Sequence, residues 1–208
     1  SWRPDPERIA GLPIDGAVRL GRFLAMSNNL AGFHAELPTS GLREIDQIDP
    51  FRSLLDFLHP ADPEKQLPLD LTLAHVMAGG YGKMATGWGK MTALAMYAKA
   101  AGIGKQPFPG ENVPPLKALI LAYSKVNMNQ LVGNIPLGKA EEFDEELFDG
   151  FAKFAPDIQL TRYFGKEKNL EGDGVVIPYL MFELAMKEGR FPLDMFDIVL
   201  PDEAHHLV

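Results

Sequence analysis

What most limits the fold of this chain is a set of short, nearly continuous apolar runs separated by stretches of helical character. Leu116 to Ala122 reads Leu-Lys-Ala-Leu-Ile-Leu-Ala between Pro115 and a polar segment. It is short for a helix and lacks the alternation of a half-exposed strand, so it is expected to be a strand covered on both faces. Leu71 to Met77, Val175 to Tyr179 and Phe196 to Leu200 are apolar runs of the same kind. Between these runs lie Met91 to Ala101, alanine-rich and closed by Gly102, and the helix-like Leu180 to Glu188. A further amphipathic helix is expected over Ala140 to Ala155, where Phe143, Leu147, Phe151 and Phe154 share one face and Pro156 ends the pattern. Its acidic residues read as a solvated face. Strands alternating with helices predict parallel βαβ units, hence an α/β fold with a mostly parallel sheet and helices on both faces.

The first 40 residues have a different character. They carry Pro4, Pro6, Pro13 and Pro38 and one short helix from Gly16 to about Ser27, with Val18, Leu20, Phe23 and Leu24 as its apolar face. They read as an extension, residues 1–40, to a domain over residues 41–208. That domain opens with a helix over Leu42 to Leu58, interrupted at Pro50, and continues through a polar loop at residues 59–70. A chain of 208 residues suits this plan of one domain and an appendage.

Composition excludes several function classes. Cysteine is absent, which removes thiol nucleophiles, disulfide frameworks and thiolate zinc sites. A formal net charge of −8 argues against coating nucleic acid by bulk electrostatics, although a local basic patch remains open. No run reaches the ~18 apolar residues of a membrane span, and Arg3, Arg8, Arg19 and Arg22 break the N-terminal stretch that a signal peptide would need. The expectation is a soluble protein of the cytoplasm.

Two groups of residues could carry chemistry. Gly87-Trp88-Gly89-Lys90 directly precedes the alanine-rich helix, so glycine amides, a helix N-terminus and a lysine would converge on one anion. A plain glycine turn is the alternative. Gly102-Ile103-Gly104-Lys105 has the same spacing but follows a helix and runs into Gln106-Pro107, and is expected to be a loop. The second group is Asp202-Glu203-Ala204-His205, just beyond the run Phe196 to Leu200. Ligands of open α/β sheets sit beyond the carboxyl ends of strands, where one carboxylate can hold magnesium and another can activate water. An exposed acidic tail is the alternative. His205 and His206 lack a third partner for a metal, and no Gly-x-Ser-x-Gly elbow suggests a serine hydrolase.

These motifs together resemble the first RecA-like ATPase domain of the superfamily-two, DEAD/DEAH-box-like helicases, over about residues 41–208. Met84 to Lys90 is similar to the family's phosphate loop and Asp202 to His205 to its acidic box. Lys117 to Gln130 resembles the strand and loop that grip a nucleic-acid backbone. Phe151 to Asp157, Tyr163 to Gly165 and Gly172 onward resemble the family's middle section, and Leu42-Arg43 with Gln47 its adenine-reading segment. The resemblance implies a RecA-like three-layer P-loop fold that binds ATP or ADP with Mg2+ and acts on DNA or RNA. It implies nucleotide contacts from Arg43, Gln47, Thr86, Gly87, Trp88, Gly89, Lys90, Met91 and Thr92, with Lys90 also catalytic. Asp202 would bind magnesium through water, Glu203 would orient the attacking water, and Ser124 and Lys125 would touch the nucleic-acid backbone.

The chain departs from the family at chemically sensitive places. Met91 stands where a Thr or Ser hydroxyl would ligate magnesium, and a thioether is a poor ligand for a hard cation. Thr92 is rotated by about 100° along the helix from that position. Tyr123 replaces a usual proline, Ile177-Pro178 a threonine pair, Pro201 a strand residue, and Gln47 lies one residue farther from Arg43 than the pattern has it. The family also needs a second RecA-like domain to close on ATP, which is expected as a partner outside this sequence. A nucleic-acid-dependent ATPase motor and a nucleotide-binding scaffold without turnover both remain open.

Overall fold

The apolar run at Leu116 forms strand β1 (Ala118–Ala122), each residue of which is buried. Gly174–Pro178 forms β4, buried in the same way, and Ile198–Pro201 forms β5. β1 lies between them and pairs in parallel with both: Leu119 stands opposite Val175 on one side and Val199 on the other. Two further strands, β2 (Leu160–Phe164) and β3 (Glu167–Lys168), complete a five-stranded sheet of order β3-β2-β4-β1-β5. β2 runs parallel to β4, and only β3 is antiparallel, as the second arm of a tight hairpin with β2. The fold is therefore α/β, with a mixed and mostly parallel sheet.

This architecture comes from a computed structural model that describes residues 18, 19, 21, 22, 24–26, 29, 90–108, 110, 112–133, 151 and 155–203. The chain divides into two units, Ser1–Gly89 and Lys90–Val208, and the sheet belongs to the second. In the first unit the described residues are helical; all but Asn29 fall within the helix expected from Gly16 to about Ser27, and Asn29 lies beyond its expected end. Val18 was expected on its apolar face but is exposed, whereas Met26 is buried. Apolarity alone does not decide burial, since single apolar side chains are ordinary on a protein surface. The helix expected over residues 42–58, the loop at 59–70, the strand at 71–77 and the boundary at residue 40 lie outside the described residues. Of the helix expected at residues 140–155, Phe151 is helical and buried, and Ala155 is buried just beyond it.

Helices cover both faces of the sheet. The first, α1 (Lys90–Ala101), matches the alanine-rich segment and buries Ala95, Met96, Ala98, Ala100 and Ala101. It ends as Gly102 enters the left-handed region at φ 80°, and the Ile103 amide donates back to the Ala98 carbonyl. The Gly102 to Lys105 stretch is thus a helix cap and loop. Gly104, also at φ 80°, donates to the Leu116 carbonyl, and a Cβ there would stand 2.9 Å from the Asp173 carboxyl carbon. α2 (Lys125–Val132) follows β1, and α3 (Tyr179–Lys187) follows β4.

The alternation of β2 shows the two faces. Tyr163 joins a core of Leu119, Leu121, Val175, Ile177, Ala185 and Phe191, to which α3 contributes Ala185, Met181 and Phe182. The neighbouring Arg162 points the other way, and its guanidinium donates to the buried Asn129 side chain of α2. Phe191 meets Tyr163 and Phe182 edge-on at 5.3 and 5.5 Å and stacks on Phe196 at 5.6 Å. Such geometry contributes about 1 kcal/mol per pair beyond the area buried.

Candidate functional site

Because β1, β2, β4 and β5 are parallel, their carboxyl ends share one edge of the sheet. Ser124 and Lys125 follow β1, Tyr179 follows β4, and Asp202 and Glu203 follow β5. An edge of this kind is where open α/β sheets gather ligands, since loops there can converge without interrupting the strand ladder. Pro201 is the last residue of β5 and has no amide to donate, yet the Asp202 amide donates to the Leu121 carbonyl at 2.8 Å. The ladder therefore continues past the proline and fixes the start of the acidic turn.

Lys90 is the first residue of α1, and its ammonium lies 2.7 Å from the Glu203 carboxylate. Both side chains keep about a quarter to a third of their surface, 31% for Lys90 and 26% for Glu203, so water screens the pair. An ion pair of that exposure contributes on the order of 1 kcal/mol or less. Lys90 and Glu203, picked from opposite halves of the sequence, thus meet in space.

Asp202 sits deeper, at 7% exposure. Burial pushes its carboxyl above the ordinary value, and the adjacent Glu203 charge adds to the rise; Lys90 and the Glu203 amide pull it back. Glu203 has φ 52°, the left-handed region, and is the one non-glycine residue with positive φ among the described residues. Tyr179 crosses the end of β1 to donate its hydroxyl to the Asp202 carbonyl at 2.7 Å. Burial foremost, and then the charges of Asp202 and Glu203, push this phenol up to about 12. Tyr179 was missed in the sequence, although a tyrosine directly after a buried apolar run stands at a strand's carboxyl end, where sites form.

The other expected residues are placed as follows. Met91 and Thr92 occupy the first turn of α1, both half-buried. Ser124 caps α2: its oxygen accepts from the Asn127 amide at 3.2 Å and lies 2.5 Å from the Asn127 side-chain oxygen. Lys125 stands 5.4 Å over the Phe164 ring. Both residues thus have partners within the protein, beside the couple formed by Lys90 and Glu203 in strand order. Ile177 is fully buried in the core and Pro178 pairs opposite Ala122, so the residues replacing the threonine pair serve the sheet. Arg43, Gln47, Thr86, Gly87, Trp88 and Gly89 lie outside the described residues.

Chemically, the arrangement offers a lysine at the N-terminus of a 12-residue helix to an anion, with two carboxylates alongside. No group of three or more His, Asp or Glu that could hold a metal occurs among the described residues. Two carboxylates suffice for magnesium when phosphate oxygens supply the remaining ligands. Met91 adds no oxygen to that set. No described helix is long and apolar enough to cross a membrane. Comparison with protein-family models, curated proteins and solved structures gives no match for this chain.

Proposed function

We propose that the chain is a RecA-like, ATP-binding motor domain of a nucleic-acid-dependent ATPase of the helicase type. The observation that carries this reading is the 2.7 Å approach of Lys90, at a helix N-terminus, to Glu203 beyond the carboxyl end of a neighbouring parallel strand. In this reading Lys90 exchanges Glu203 for the nucleotide's phosphates, the helix amides add donors, and the released Glu203 carboxylate orients water. Residues Thr86 to Gly89 supply the loop before the lysine, and Arg43 and Gln47 read adenine. Magnesium, held by Asp202 through water, would screen the phosphate charge. Ser124 and Lys125, one strand over, face the nucleic-acid backbone, and a second RecA-like domain completes the cleft.

Met91 favours a second reading, in which the same fold binds nucleotide without turnover. A thioether directly after Lys90 leaves the metal short of one hard ligand. Magnesium-dependent phosphate release, assayed with and without single-stranded DNA or RNA, separates the two. Turnover stimulated by nucleic acid supports the motor, while nucleotide binding without turnover supports the scaffold. No binding of ATP or ADP by either the unmodified chain or the Glu203→Gln variant, in which Lys90 is released, would remove both.

A further inference from the structure

We propose that Tyr179 is a positioning residue, which orients the peptide between Asp202 and Glu203 so that the Glu203 carboxylate is turned toward Lys90. The proposal rests on reading the Lys90 and Glu203 couple as a nucleotide site. Tyr179 is the first residue of α3, beyond β4, whereas the acidic turn follows β5; β1 lies between those strands. Its hydroxyl spans that gap and donates to the Asp202 carbonyl at 2.7 Å.

The consequence follows from backbone geometry. A peptide group is planar, so holding its carbonyl also holds the next amide, and sets the plane from which the ψ of the residue before it and the φ of the residue after it are both turned. The preceding peptide is already held, since the Asp202 amide donates to Leu121 at 2.8 Å. With the next carbonyl held by Tyr179, both peptides flanking the Asp202 Cα are fixed. From that held plane Glu203 leaves at φ 52°, a conformation that an L-residue keeps only where its surroundings impose it. From that Cα its carboxylate reaches Lys90 at 2.7 Å. The phenol is suited to the task because burial and the two nearby carboxylates keep it protonated, hence a donor, far above neutral pH.

Tyr179→Phe removes the hydroxyl and keeps the ring that packs on the core. The test uses the full chain, isotopically labelled, as the unmodified protein, Tyr179→Phe, Glu203→Gln and the double variant. In Tyr179→Phe the Asp202 carbonyl and Glu203 amide resonances should move, and the Glu203 amide-to-Hα coupling should leave its left-handed value. Magnesium-ATP turnover should fall in kcat by about ten-fold, the scale of one lost hydrogen bond, with KM within about two-fold. In the Glu203→Gln background, removing the hydroxyl should cost no further turnover. Unchanged Asp202 and Glu203 resonances, or fully additive losses in the double variant, overturn the proposal. Should the unmodified chain hydrolyse nothing, the motor reading fails while the resonances still decide the role of Tyr179. If Tyr179→Phe does not fold, the unmodified chain decides: a slowly exchanging Tyr179 hydroxyl proton supports the proposal, and one in fast exchange with water overturns it.

Discussion

Glu203 combines two demands that rarely fall on one residue: a backbone conformation suited to glycine and a side chain that only an acid supplies. The left-handed conformation costs an L-residue about 1–2 kcal/mol. Glu203→Gly and Glu203→Ala remove the same carboxylate, so their difference isolates the backbone. The glycine variant should be more stable by about 1 kcal/mol in urea denaturation, and equal midpoints would mean that the turn carries no such strain. Asp202 makes a different expectation. Its carboxyl is held above the unfolded value of 3.8, so the native state binds more protons than the unfolded one in between. Stability therefore falls as pH rises through the folded value, and the penalty is complete above it. Asp202→Asn should stabilise the protein at neutral pH, and the gain should vanish below the unfolded value. A gain that persists in acid would assign the effect to packing. At this scale the sequence displayed Lys90, Asp202 and Glu203 through motif spacing. It marked the place of Tyr179, at the end of an apolar run, but not its role, because a hydrogen bond to a backbone carbonyl from across another strand leaves no local pattern.

Elements were legible where burial on both faces made the residues uniformly apolar, as in β1 and β4, and β5 shows the same apolar run although its Val199 is exposed. β1, β4 and β5 follow the runs at Leu116, Val175 and Phe196, and α1 and α3 fill the segments of helical character. β2 escaped notice because it reads Leu-Thr-Arg-Tyr-Phe, where a strand near the sheet's edge carries a polar residue toward α2. α2 escaped because its eight residues include two asparagines and a glutamine, and Asn129 is buried by its bond to Arg162 rather than by apolarity. The link between α1 and β1 was read as a loop, but its tie to the segment before β4 was not visible. That tie predicts a contrast. Gly104→Ala meets both a positive φ and the Asp173 carboxylate, which itself accepts from the Gln159 amide at 2.9 Å. Gly110→Ala meets a positive φ of 90° with nothing within 4 Å. Gly110→Ala should cost about 1–2 kcal/mol and Gly104→Ala about 1–3 kcal/mol more. Equal costs in chemical denaturation would show that Asp173 moves aside freely.

For the whole molecule, ligand binding and folding are linked. A nucleotide that binds the native chain at a hundred times its Kd adds about 2.7 kcal/mol, worth roughly 5–11 °C in Tm for a protein of this size. Differential scanning fluorimetry with ADP should show that rise for the unmodified chain and for Lys105→Ala, and none for Lys90→Ala. Equal loss in both lysine variants would place the phosphate elsewhere. Lys105 is the informative control, because its glycines terminate a helix whereas Lys90 begins one.

The division at Gly89 and Lys90 has a spectroscopic consequence. Both tryptophans, Trp2 and Trp88, fall in the first unit, while four of the five tyrosines fall in the second. Selective tryptophan excitation thus follows residues 1–89, and tyrosine absorbance follows mainly the sheet-bearing unit. A single chain carries two intrinsic chromophores sorted by unit, so one thermal melt read at two wavelengths measures whether the two units unfold together.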